Sequence, residues 1–244
     1  MRINAKGLHY KELNGLIHQA VDNGKTNIIL DNVNGQRYIG DGLSGDIKIT
    51  INGVPGNDLA AFMDGPTIVV NSNGQDGIGN TMNAGKIIVH GDAGDIIGHS
   101  MRGGEIYIKG DAGYRVGIHM KSYEDLYPVI IMGGNVGNFL GEYMAGGLII
   151  VLGFRKNSDE AIVGNYCGTG MHGGTMYIRG NIRDYQLGKE AKKFSLDKED
   201  NKILKGYLKK YCAYFSLKIE DILKSDFVKL SPSSHRPYGR LYAY

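Results

Sequence analysis

IGNTMNAGKIIVHGDAGDIIGHSMRGGEIYI, residues 78–108, states one pattern twice. Ile78-Gly79-x-x-Met82-x-x-Gly85-x-Ile87-x-Val89 returns nineteen residues later as Ile97-Gly98-x-x-Met101-x-x-Gly104-x-Ile106-x-Ile108. The frame extends both ways. Leu43, Met63, Met82, Met101, Met120, Met144 and Met171 fill the methionine position. Three residues before them stand Gly40, Ala60, Gly79, Gly98, Gly117, Gly141 and Gly168. A period near twenty with one alternating apolar strand per copy is the signature of a solenoid.

Strands are expected at 27–30, 47–51, 67–70, 86–89, 105–108, 129–132, 148–152 and 175–178, each β-branched and bounded by glycine. Hairpins need short connections. A fixed period of about twenty instead stacks each strand in parallel on its equivalent, about 4.8 Å away. The fold class is therefore all-β, a right-handed parallel β-helix, since parallel crossovers are right-handed. Gly40, Gly79, Gly98, Gly117, Gly141 and Gly168 are its turn glycines, where the corners call for φ > 0 or close backbone approach. The methionines read as an interior column. GDGLSG (40–45) and GTGMHG (168–173) imitate a dinucleotide fingerprint, but both lead into strands and share one phase of the repeat. They are corners.

Residues 1–23 place Leu13, Leu16, Ile17, Ala20 and Val21 on one helical face, a cap for the first coil. Residues 24–182 are the β-helix. In 183–244 the glycine rhythm stops, and Ile203, Leu204, Tyr207, Leu208, Tyr211 and Ile219, Ile222, Leu223 take helical spacing, expected to cap the far end. The last stretch, 231–242, is irregular and rich in proline and tyrosine.

Composition narrows function. Gly is 38 of 244 residues, about twice the usual share, without a three-residue period, so the glycine belongs to turns and not to collagen. A formal charge of +3 is too small and too evenly spread for nucleic acid. Cys167 and Cys212 match no metal or redox spacing. No apolar run approaches membrane length and no signal-peptide core is present, so a cytoplasmic location is expected.

Two inserts break the frame, 121–128 and 153–159, and inserts in repeat proteins map to loops that often lie on a binding face. The coils around them hold Tyr114, Arg115, His119, Glu142, Tyr143, Tyr166 and His172 at or near the corner. The alternative class is a free-standing hydrolase or a polysaccharide-acting β-helix, and such enzymes commonly cluster carboxylates on one face of adjacent coils. The equivalent positions read Asp41, Asn80, His99, Ile118, Glu142 and Asn165, too mixed for that. His99 and Ser100 are neighbours, and neighbours on a strand or turn are expected to point apart.

GDAGYRVGIHM (110–120) and GNFLGEYMAGGLIIVLG (137–153) closely resemble the C-terminal Gly-x-Gly-x-Gly β-helix domain of the glutamate synthase large subunit. The resemblance covers about 25–182. A related β-helix forms the C subunit of formylmethanofuran dehydrogenase, which makes a subunit of that type of complex the alternative reading. The resemblance implies a non-catalytic scaffold that holds a glutamine amidotransferase against a flavin and iron–sulfur synthase subunit. It implies no catalytic residue, cofactor or metal in this chain, with FMN and the iron–sulfur cluster in the partner subunits. Tyr114, Arg115, His119, Glu142 and Tyr143 are the expected partner interface, and homo-oligomer formation stays open.

Overall fold

The apolar runs set nineteen residues apart lie side by side in one sheet. The computed structural model describes residues 1–154 and 161–233. Its parallel strands are β1 (Arg2–Asn4), β2 (Asn27–Asn34), β3 (Lys48–Val54), β4 (Asp64–Val70), β5 (Ala84–Val89), β6 (Glu105–Ile108), β7 (Val129–Met132), β8 (Ala145–Val151) and β9 (Gly173–Arg179), each paired with the next. Register is fixed by one column, Ile49, Ile68, Ile87, Ile106, Ile130, Ile149 and Met176, which is fully buried throughout. Met63, Met82, Met101, Met120, Met144 and Met171 fill the same interior and are also fully buried. Burying one such side chain contributes about 1.5–3 kcal/mol, so each added coil extends one continuous core. The chain is a parallel β-helix.

The first coil is covered from two directions. Helix α1 (Tyr10–Asp22) buries Leu13, Ile17 and Ala20 against a core that includes Ile28 and Leu30. β1, absent from the expected elements, adds a strand beside β2. Gln36 ties the connection, its Nε2 donating to Ala5 O at 3.0 Å and Leu8 O at 3.1 Å.

The C-terminal helices cover a different surface from the expected one. From β5 onward the strands are apolar on both faces, as in Ile87-Ile88-Val89 and Val129-Ile130-Ile131-Met132. A sheet of that kind needs a layer on each side. α2 (Lys198–Phe215) supplies the second layer. Leu204, Leu208, Tyr211, Cys212 and Phe215 pack with Ile88, Tyr107, Ile131, Ile150 and Tyr177, joined by Ile222 of α3 (Ile219–Leu223). The far end is closed by strands. β11 (Phe227–Pro232) runs antiparallel on β9, and β10 (Ala191–Phe194) antiparallel on β11.

Two polar clamps hold α2 in place. Near its N-terminus, buried Asp200 Oδ1 accepts from Tyr177 Oη at 2.7 Å and from Lys229 Nζ at 2.8 Å. Burial pushes the Asp200 carboxyl upward, but Lys229, Asp197 and Tyr177 outweigh it and hold the acid below its ordinary value. Further along, Lys210 pairs with Glu105, which also accepts from Tyr107 Oη at 2.7 Å.

Candidate functional site

The corner of each coil is built from alternating left- and right-handed residues. Ile96, Gly98 and Ser100 have φ of +53°, +67° and +53°; Arg115, Gly117 and His119 have +59°, +72° and +54°; Phe139, Gly141 and Tyr143 have +64°, +65° and +52°. Their N–H groups bond alternately to the next coil and the previous one. Arg115 N donates to Asn138 O at 3.0 Å, Gly117 N to Ile97 O at 2.8 Å, and His119 N to Glu142 O at 3.0 Å. This ladder over-determines a backbone that costs each non-glycine residue about 1–3 kcal/mol, and so accommodates even β-branched Thr81 and Ile96. The middle position, alanine in one coil (Ala60) and glycine in the others, is tight where glycine stands. A Cβ on Gly98 would lie 2.4 Å from Ile130 Cδ1, and on Gly117 2.5 Å from Ile149 Cδ1.

Alternation of hand also changes where side chains point. Along 97–101 the sequence of directions is in, in, out, out, in: Ile97 and Met101 are buried, Gly98 faces the core, and His99 and Ser100 share the outer side. The expectation that His99 and Ser100 point apart is therefore wrong. Ser100 Oγ lies 3.4 Å from His99 Nε2, and His99 Nδ1 lies 3.2 Å from Asn80 Oδ1. Asn80 Nδ2 donates to Asp58 Oδ1 at 3.2 Å, an acceptor-only partner that fixes the amide and so assigns the proton to His99 Nδ1. Burial, then His119, lowers the His99 pKa against the opposing pull of Asp58. This chain of contacts resembles an activated serine, yet the oxyanion donors are spent. Gly98 N, His99 N, Ser100 N and Met101 N all donate to carbonyls of the ladder.

Four of the five expected interface residues come together across the next two coils. Arg115 Nε meets Glu142 Oε2 at 2.8 Å, and the Arg115 guanidinium lies over the Phe139 ring at 4.9 Å. His119 stacks on Tyr143, centroids 5.2 Å apart and planes 8° apart. Phe139 stacks on Tyr166 at 4.9 Å and 13°. Two parallel stacks thus stand side by side, with Tyr143 and Tyr166 about half exposed. Tyr114 stands on the neighbouring turn, its N–H held by Asp95 Oδ1 at 2.7 Å and its ring half exposed. His172 is outside the stacked ring pairs, its Nδ1 lying 3.2 Å from Gly170 O. Phe139 is the member that sequence reasoning missed. Its signal was available: it stands two residues before the frame glycine Gly141, as Arg115 does before Gly117. Asn165 also needs correction. Its N–H bonds Asn138 Oδ1 at 2.8 Å, which makes it the equivalent of Asn138, while the outer position after Gly168 belongs to Thr169.

The adjoining turns carry a second ladder. Asp92 N donates to Asn73 Oδ1, Asp111 N to Asp92 Oδ1 and Asn135 N to Asp111 Oδ1, at 2.9, 2.9 and 2.7 Å. The glycine before each donor makes room: a Cβ on Gly110 would sit 1.9 Å from Asp92 Oδ1. The aspartates here are structural acceptors. Among the described residues no three His, Cys, Asp or Glu side chains gather as a metal-holding group. Also among them, no helix is long and apolar enough to cross a membrane. Of the inserts, 121–128 folds back with Tyr123 and Leu126 bridged, while 155–159 of the second lies outside the described residues, as does the tail from 234.

Known proteins share this outline. The model of the GXGXG motif family matches residues 16–233. An uncharacterized protein of Methanocaldococcus jannaschii is 49% identical over 249 residues, spanning 98% of this chain and 95% of that one. Among solved structures, a chain of the formyltransferase/hydrolase complex of Methylorubrum extorquens, determined with methylofuran, is similar at a TM-score of 0.60 and 20% identity. The match covers 85% of this chain and 83% of that one.

Proposed function

We propose, for a chain that belongs to the GXGXG motif family typified by the C-terminal domain of the glutamate synthase large subunit, a role as non-catalytic scaffold in a multi-protein complex. The observation that carries this reading is the pair of exposed ring stacks on the corner ladder. Rings and an arginine held in one arrangement lose little entropy on docking, and Tyr, Phe and Arg are the residues that anchor protein interfaces.

Two kinds of complex fit. The similar fold in the formyltransferase/hydrolase complex supports the first, a β-helix like the C subunit of formylmethanofuran dehydrogenase, in an assembly of that type. Family membership supports the second, a glutamate-synthase-like arrangement. There a glutamine amidotransferase would be held against a synthase chain bearing FMN and an iron–sulfur cluster, so that ammonia passes between them. Both assign the chemistry to partner chains.

The test is co-purification with a tagged chain in which Arg115 and Glu142 are both alanine. The reading expects partner chains to be lost while the fold is kept. Retention of all partners removes this face from the interface. The metal and flavin content of the wild-type eluate separates the two complexes, molybdenum or tungsten for the first and FMN with iron–sulfur for the second.

A further inference from the structure

Charge is distributed unevenly along the corner face. In the position after each of the first five buried Leu or Met residues of the frame, successive coils carry Ser44, Asp64, Asn83, Arg102 and Lys121. The coil ladder sets the last three in register, with Asn83 N on Met63 O, Arg102 N on Met82 O and Lys121 N on Met101 O at 2.9–3.0 Å. Acidic Asp41, Asp58 and Asp64 belong to the early coils, and the cations to the middle ones. Arg102 and Lys121 are both exposed, and among the described residues neither meets a carboxylate. Glu142 is only 11% exposed and already held by Arg115, while the exposed Glu124 and Asp125 of the 121–128 insert form no ion pair with either cation among the described residues. Two like charges therefore sit one coil step apart, at a backbone spacing of about 4.8 Å, with Lys121 two residues after His119 of the His119–Tyr143 stack. Their repulsion is relieved when a carboxylate is placed between them.

We propose that Arg102 and Lys121 form the electrostatic anchor for acidic side chains of the partner chain that docks on this face. The inference rests on the scaffold reading and gives its interface a polarity: carboxylates against the middle coils, apolar surface against the Tyr143 and Tyr166 rings. A polyanion such as nucleic acid fits less well. It needs a continuous basic stripe, and here Asp58 and Asp64 interrupt the same face.

The test uses the complex purified through a tag on this chain. Zero-length carbodiimide coupling is expected to join Lys121 to an Asp or Glu of a partner chain. R102E/K121E is expected to reduce co-purification at least ten-fold at about 0.15 M salt, where exposed charges are screened beyond about 8 Å. K205E/K209E, on the exposed side of α2, is expected to leave it unchanged. A complex that survives R102E/K121E overturns the anchor and leaves the scaffold reading standing. Coupling of Lys121 to Asp64 of a second copy, or nuclease-sensitive nucleic acid on the wild-type chain, overturns the anchor as well. A wild-type chain that purifies with no partner overturns the scaffold reading itself, and the anchor with it.

Discussion

Arg115 and Glu142 are 27 residues apart in sequence and meet at 2.8 Å across a single coil step. The pair shows how the solenoid makes its surface, since an insert lengthens the loop between them without moving the register that brings them together. Arg115 gains from Glu142 on one side and from the Phe139 ring beneath it. Its own side chain is 46% exposed, so the ion pair is screened. Glu142→Ala is expected to cost about 1 kcal/mol, and a double-mutant cycle with Arg115→Ala to return a coupling of about 0.5–1 kcal/mol. Urea denaturation of the four proteins measures both. A coupling near zero would reduce the pair to an accident of proximity.

Glycine positions separate by geometry. At Gly98, φ is +67° and the Cβ site is filled by Ile130, so Gly98→Ala is expected to destabilise by about 2–4 kcal/mol, strain plus overpacking. Gly206 lies in α2 with open space around it, and Gly206→Ala is expected to stabilise by about 0.5–1 kcal/mol. Thermal denaturation of the two variants is expected to shift in opposite directions.

Asp200 gives the clamp on α2 a pH dependence. Its folded pKa lies below the unfolded value, so the stability it contributes is fully present above the unfolded pKa, near 4. That contribution is lost as pH falls through the lower, folded value. Asp200→Ala leaves Lys229 without its carboxylate and Tyr177 without its acceptor, and is expected to cost about 3 kcal/mol at pH 7. Denaturant midpoints for wild type and Asp200→Ala are expected to converge as pH falls below 4. A constant gap across that range would show that the acid acts through packing alone.

The cysteines are expected to be silent in the folded state. Burial pushes the Cys167 thiol up to about 12 and Cys212 in the same direction. With a pKa near 12, the thiolate at pH 8 is about one part in ten thousand, far below that of a free thiol. Both thiols are expected to react with a disulfide reagent only after denaturation. Fast labelling of the native chain would mean that the coil around Cys167 opens readily.

Much of this was legible in the sequence, for identifiable reasons. Gly85-x-Ile87-x-Val89 and its copies read as strands because a two-residue alternation after glycine has one meaning. The placement of α2 was legible only in part: its apolar spacing announced a helix, but the doubly apolar Ile87-Ile88-Val89 and Val129–Met132, which call for that helix as a second layer, read equally well as simple buried strands. β10 and β11 follow the loss of the period and pair antiparallel, so no frame predicts them. The corner resisted for a conformational reason. Ile96 and Thr81 are among the residues least expected at positive φ, and only the inter-coil ladder makes that backbone the default. Once alternating hand is known, His99 and Ser100 belong on one side, and Phe139 falls above Tyr166.

The most direct test of the scaffold account is native mass spectrometry of the tagged chain purified from its own cells. The account predicts the 26.6 kDa chain in fixed ratio with different, larger partner chains that carry the redox or metal cofactors. A spectrum holding only the 26.6 kDa chain, or multiples of it, would contradict the account.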